Sequence, residues 1–141
     1  MSQGVFLGFD FGFKRIGVAV GQKITLTARP LEKLRAVDGQ PNWLEVAALM
    51  KEWKPEALIV GLPTCIDDTE QYTTPAARQF AQNLQEKFHL PVHLVDERLS
   101  TKEARARLFA DGGYRKLKNS SIDSVAAAII LEQWLQFPSS Q

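Results

Sequence analysis

The sequence predicts a three-layer α/β fold: a five-stranded mixed sheet with helices on both faces, in the order β-β-β-α-β-α-β-α-α. Two observations predict it. Three short apolar runs joined by tight turns open the chain, and from residue 42 onward strands alternate with helix-period patterns. The first arrangement makes an antiparallel meander. The second, through right-handed crossovers, makes the later strands parallel to one another. A single domain is expected over residues 1–137, with 138–141 as a short flexible tail.

Val5 to Phe11 is an apolar run closed by Gly12, and Ile16 to Val20 is a second. Thr25 to Leu34 makes the third strand, with turns at 12–15 and 21–24. Asn42 reads as a helix N-cap with Glu45 three residues on, and Trp43, Val46, Ala47, Met50 and Trp53 follow at helical spacing. Pro55 ends that helix. Ala57 to Val60 is a continuous apolar strand stopped by Gly61-Leu62-Pro63, and 64–73 is a polar loop. Thr74-Pro75 opens a second helix, whose stripe is Ala77, Phe80, Ala81, Leu84 and Phe88. Pro91 to Val95 is the fifth strand and runs into Asp96-Glu97-Arg98. Ser100 to Glu103 is a capping box for a helix reaching Ala110. A last helix starts near Ser120 and carries Ile122, Val125, Ala126, Ile129 and Trp134 as its apolar face.

Composition narrows the function classes. At 45% hydrophobic and 23% charged residues the 141-residue chain is globular, and long enough to bury roughly two-thirds of its unfolded surface. Cys65 is the only cysteine, which excludes an internal disulfide and a Cys-rich zinc site. No apolar run approaches the ~20 residues of a membrane span, and the first residues lack the basic patch of a secretory signal. A cytoplasmic protein with no membrane partner is expected. Net charge is only +1, but residues 98–118 hold seven basic residues against Glu103 and Asp111. Such a segment is either a solvated helix face or a polyanion contact.

Asp10 stands inside the first apolar strand, between Phe9 and Phe11. A carboxylate there needs a partner: backbone donors of the glycine turn, or a cation. Asp96 and Glu97 end the fifth strand on opposite faces, so one of the two can share a site with Asp10. Asp123 falls in the first turn of the last helix, three residues after Ser120, where a capping acid also fits. Three acids at the ends of separate elements suit two divalent ions at a phosphodiester, with a basic loop just before Asp123. Gly12 and Gly17 are spaced like part of a phosphate-binding loop, but Val18-Ala19 follows where Lys and Ser or Thr are required.

The run Asp10-Phe11-Gly12-Phe13-Lys14-Arg15-Ile16-Gly17-Val18-Ala19-Val20-Gly21 resembles the opening motif of the YqgF (RuvX) family of ribonuclease-H-like nucleases. Gly61-Leu62-Pro63, Asp96 to Thr101, Gly112-Gly113-Tyr114-Arg115 and Asp123 to Ala127 are similar to its later motifs, in order. The resemblance implies a ribonuclease-H-like fold and a metal-dependent nuclease (hydrolase) using Mg²⁺ or Mn²⁺, two ions in all. It implies a role in maturing the 5′ end of 16S ribosomal RNA, and the family was also proposed to resolve Holliday junctions. Asp10 matches the first-strand metal ligand and Asp123 the acid of the last helix. Related resolvases carry their second acid after the fourth strand, where this chain reads Gly61-Leu62-Pro63, so the Asp-Glu-Arg motif supplies it, with Glu97 favoured over Asp96. Lys14, Arg15, Arg98, Arg115, Lys116 and Lys118 are the expected phosphate contacts. Two departures from the family pattern are Phe13, expected to narrow the approach to Asp10, and Asp68, expected to reshape the 64–73 loop.

The expected function is thus hydrolysis of phosphodiester bonds in structured RNA, pre-16S rRNA first, with a ribosomal partner and a monomer or weak homodimer. Branched-DNA cleavage, which calls for a two-fold dimer, is the alternative within the class. A nucleic-acid-binding module without catalysis is the alternative outside it.

Overall fold

The computed structural model describes residues 4–62, 73–96 and 122–136. Among them, strands β1 (Val5–Asp10), β2 (Arg15–Gln22), β3 (Thr27–Val37) and β4 (Gln40–Pro41) precede helix α1 (Trp43–Trp53). Strand β5 (Ala57–Leu62), helix α2 (Thr73–Phe88), strand β6 (Val92–Asp96) and helix α3 (Ile122–Gln136) follow. The sheet order is β4-β3-β2-β1-β5-β6. β1, β2 and β3 form the expected antiparallel meander, and β1, β5 and β6 run parallel. The helix expected at 100–110 lies outside the described residues.

The sheet has six strands rather than five. Asp38 and Gly39 both take positive φ, 52° and 84°, the requirement of a type I′ hairpin turn. That turn pairs Val37 with Gln40 and Ala36 with Pro41, so β3 runs three residues past the expected Leu34 and gains a short partner. The Asp-Gly dipeptide is a hairpin signal, although only two residues pair beyond it.

Local chemistry sets the helix ends. The Leu44 N–H donates to Asn42 Oδ1 at 3.0 Å, as a cap should. Lys54, left-handed at φ 48°, closes α1 with its N–H on the Met50 carbonyl, directly before Pro55. His89 does the same for α2 at φ 57°, with its N–H on Gln85.

Strand alternation splits the apolar residues between two faces. Leu7, Phe9, Ile16, Val18, Val20, Leu58 and Val60 pack against α1 and α2, with Ala77, Phe80, Ala81 and Leu84 as the buried stripe of α2. Phe80 sits among rings, 5.7 Å from Phe9, 5.5 Å from Phe11 and 5.8 Å from Trp43 between centroids. Phe6, Ala19, Ala57 and Ile59 face α3.

α3 meets the sheet through Ala127, Ala128, Ile130, Leu131 and Leu135, and of the stripe the sequence suggested only Trp134 joins them among the described side chains, its ring 5.2 Å from that of Phe6. Val125, Ala126 and Ile129 are buried too, in a separate cluster. A helix apolar on every side carries no moment to mark its sheet-facing side. The face is chosen by fit: a Cβ at Gly8 would lie 3.0 Å from the Leu131 Cβ and 3.2 Å from the Ala127 carbonyl oxygen. The start of α3 is held by a buried bond, the Val18 N–H donating to Ser124 Oγ at 3.1 Å. Its end is held by the Ala28 N–H on Glu132 Oε2 and by Gln136 Nε2 on the Leu26 carbonyl.

Two outcomes follow for stability. Gly8→Val, which wedges β1 away from α3, lowers unfolding free energy by about 1–3 kcal/mol, and Gly8→Ala by less, both read from denaturant midpoints. Ser124→Ala strips the acceptor from a buried backbone N–H and costs about 1–3 kcal/mol, whereas Ser124→Thr keeps the acceptor and recovers most of it.

Candidate functional site

Asp10 is the last residue of β1, half-buried where its neighbours in the strand are fully covered. Its register partners are Gly17 on β2 and Gly61 on β5, and Gly61 in turn pairs with Val95 on β6. Paired residues share a face, and Phe6 and Val95 pack on the α3 side. Asp10, two pleats beyond Phe6, therefore belongs to the α3 side as well. Two glycines flank it, so neither lateral neighbour places a side chain over the carboxylate.

The tether described above brings the first turn of α3 to this end of the sheet. Ser124 binds the backbone of Val18, the residue after Gly17, and Gly17 is paired with Asp10. From there α3 runs antiparallel to β1, passing Gly8 at Ala127 and Leu131 and reaching Gly21 at Leu135. Asp123, one residue before Ser124, thus stands on the helical turn that the tether fixes beside the Asp10 row. The positive end of the helix dipole lies at the same place, which favours negative charge there.

Lys14 and Arg15 are exposed in the β1–β2 turn and at the start of β2. Gly12 passes so close to the Arg15 carbonyl that a Cβ would lie 2.6 Å from it. The β3–β4 hairpin holds the turn, with the Ala36 N–H on the Lys14 carbonyl and the Gly39 N–H on the Phe13 carbonyl, both at 2.9 Å. Phe13, expected to narrow the approach to Asp10, turns instead to the opposite face. Its ring packs edge-on against Phe11, 5.8 Å away, on the α1–α2 side of the sheet.

Asp96 takes the register position opposite Leu62 in the last β5–β6 pair. Glu97, Arg98, Arg115, Lys116 and Lys118 lie outside the described residues, as do Cys65, Asp68 and Tyr114. Of the expected site, the structure brings together Asp10, Arg15 and the α3 turn that bears Asp123. Sequence reading missed Ser124, whose partner is 106 residues away. His93, unremarkable in the sequence, stacks on Trp134 at 4.9 Å. Among the described residues no helix is long and apolar enough to cross a membrane.

The donor chemistry suits a hard divalent cation: a partly buried carboxylate at a strand end, beside glycines that add no side chains of their own.

A model of the family described as "RuvX: Holliday junction resolvase" matches residues 4–137. A protein of Legionella pneumophila named "Putative pre-16S rRNA nuclease" is 62% identical over 136 residues, covering 96% of this chain and 98% of the relative. A Klebsiella pneumoniae protein of the same name is 57% identical, covering 94% and 96%. Among solved structures the fold is similar to Thermus thermophilus RuvC in complex with a Holliday junction substrate, at TM-score 0.61 and 21% identity, covering 96% of each chain. It is also similar to the Fowlpox virus resolvase bound to Holliday junction DNA, at TM-score 0.53 and 14% identity, covering 93% and 98%. These likenesses confirm the ribonuclease-H-like fold. The family model and the relatives span nearly the whole chain, and on that ground the chain belongs to the RuvX family.

Proposed function

We propose that this chain is a divalent-metal-dependent nuclease that hydrolyses phosphodiester bonds of precursor 16S rRNA during 5′-end maturation in the cytoplasm. The observation that carries the reading is the Asp10 row: a strand-end carboxylate between two glycines, on the sheet face where Ser124 fixes the first turn of α3. The names of the relatives favour precursor rRNA as the substrate.

Asp10, Glu97 and Asp123 would hold Mg²⁺ or Mn²⁺, two ions in this reading. Such ions lower the pKa of bound water and offset charge on the leaving oxygen. Strand parity supports Glu97 over Asp96. His93 and Val95 lie on the α3 side, through Trp134 and the core around Ile59, and in the sequence Glu97 keeps their alternation whereas Asp96 does not. Lys14 and Arg15 flank the site at the β1–β2 turn and would orient the phosphodiester by its non-bridging oxygens. Arg98, Arg115, Lys116 and Lys118 would extend the same grip along the backbone. The chain acts as a monomer or weak homodimer, with a ribosomal partner presenting the RNA.

Cleavage of Holliday junctions is the second reading, favoured by the description of the family model. It requires two sites related by a two-fold axis.

The deciding experiment follows cleavage of a precursor 16S RNA, free and within pre-30S particles, beside a four-way DNA junction, with Mn²⁺ or with chelator. Cleavage is expected on the RNA, lost with chelator, and lowered at least ~100-fold in Asp10→Asn and Asp123→Asn, since each ligand carries several kcal/mol of transition-state stabilisation. Preference for the junction together with a dimer by sedimentation establishes the second reading. Metal-independent binding without cleavage of either leaves a binding module.

The face of β6 is tested separately. Glu97→Gln is expected to abolish cleavage and Asp96→Asn to retain it within about tenfold. The reverse result assigns the ligand to the opposite side of the strand.

A further inference from the structure

Arg15 and Arg35 are direct cross-strand partners in the antiparallel β2–β3 ladder. Their neighbours Ile16 and Leu34 are both buried in the core under α1 and α2, and Ala36 packs against that core too. Arg15 and Arg35 therefore project from the other face, the one that carries Asp10. Both are exposed. Directly opposed residues have Cβ atoms about 4.5–5.5 Å apart, and like charges so placed oppose strand pairing.

A bulge creates this pair. From Val18↔Leu31 to Ile16↔Leu34, β3 advances three residues while β2 advances two. Had the Val18↔Leu31 register continued unbroken, Leu34 would stand opposite Arg15, and Arg35 opposite Lys14. A one-residue slip exchanges the faces of a strand, so the extra residue in β3 keeps Leu34 in the core and sets Arg35 beside Arg15. The pair lies one pleat repeat, about 7 Å, beyond Gly17, the partner of Asp10. The charges near it on the described chain are Lys14 in the adjoining turn, Glu32 and Lys33 in the bulge, Asp38 in the hairpin turn, Asp10, and Asp123 at the start of α3.

We propose that Arg35 is a substrate-positioning residue: with Arg15 it clamps the sugar–phosphate backbone of the nucleic acid where the strand crosses β2 and β3 toward Asp10. Planar guanidinium groups match phosphate oxygens in bidentate fashion. The clamp approaches Asp10 from the β2 side, opposite to β5 and β6. The inference rests on the nuclease reading for its substrate, but it concerns binding and not hydrolysis.

The experiment measures binding of the full chain in chelator to two labelled probes, an RNA stem-loop and a four-way DNA junction, across a salt series. Each lost phosphate contact lowers the slope of log K against log salt by about 1. Arg35→Gln is expected to lower the slope by about 1 on one or both probes, and Arg15→Gln/Arg35→Gln by about 2. Arg35→Lys is expected to keep the slope, and Lys51→Gln, on an exposed part of α1, to leave it unchanged. Arg35→Gln is also expected to melt no lower than the parent chain, because the Arg35 side chain is exposed. An unchanged slope in Arg35→Gln on both probes overturns the clamp, and so does an equal drop in Lys51→Gln or a lowered melting temperature. The two readings fail separately. A chain that cleaves but shows no Arg35 effect loses the clamp alone. A chain that shows the effect but never cleaves loses the nuclease reading, and one that binds neither probe loses both.

Discussion

The seating of α3 on the glycines of β1 and β2 is the contact on which the rest depends. Gly8 offers no side chain, so Leu131 and the Ala127 backbone approach β1 more closely than a Cβ would comfortably allow. That approach orients the helix antiparallel to β1, and the Ser124 bond to Val18 then fixes its sliding position. Together they deliver the start of α3 to the end of β1 where Asp10 stands. A helix anchored only by apolar contact could shift along the sheet; a buried hydrogen bond 106 residues apart in sequence sets a register.

The meander serves the same end of the sheet from the other side. The hairpin at Asp38-Gly39 binds the carbonyls of Phe13 and Lys14, so the β1–β2 turn is held by β3 and not by its own sequence alone. Phe13 strengthens that hold through Phe11, on the face opposite Asp10. The β3 bulge changes which residues that face receives. The two sheet faces thus divide the labour: α1, α2 and a cluster of rings around Phe80 make one side a packed core, while the other joins one tightly fitted helix to a carboxylate and two guanidinium groups.

Much of this was legible in the sequence where the cause is local. The Asn42 cap, the stop before Pro55, the α2 stripe and the meander all follow from capping chemistry, proline sterics and periodicity within a few residues. The candidacy of Asp10 was legible for a similar reason, because a carboxylate in an apolar strand is conspicuous without knowing its neighbours. The sheet-facing side of α3 was not. A helix rich in alanine and isoleucine on all sides has no preferred face until a surface with a glycine gap selects one.

By itself, then, the sequence determined the opening meander, the alternation of later strands with helices and the two-faced strands, and it singled out Asp10 as a candidate, since each depends on short-range spacing and residue chemistry. Only the tertiary structure decided that Asp10 lies between Gly17 and Gly61, that Ser124 tethers α3 beside it, and that a bulge puts Arg35 across from Arg15. These are matters of register between segments far apart in the chain. Register answers to volume and hydrogen bonding across the whole sheet, which no local pattern encodes.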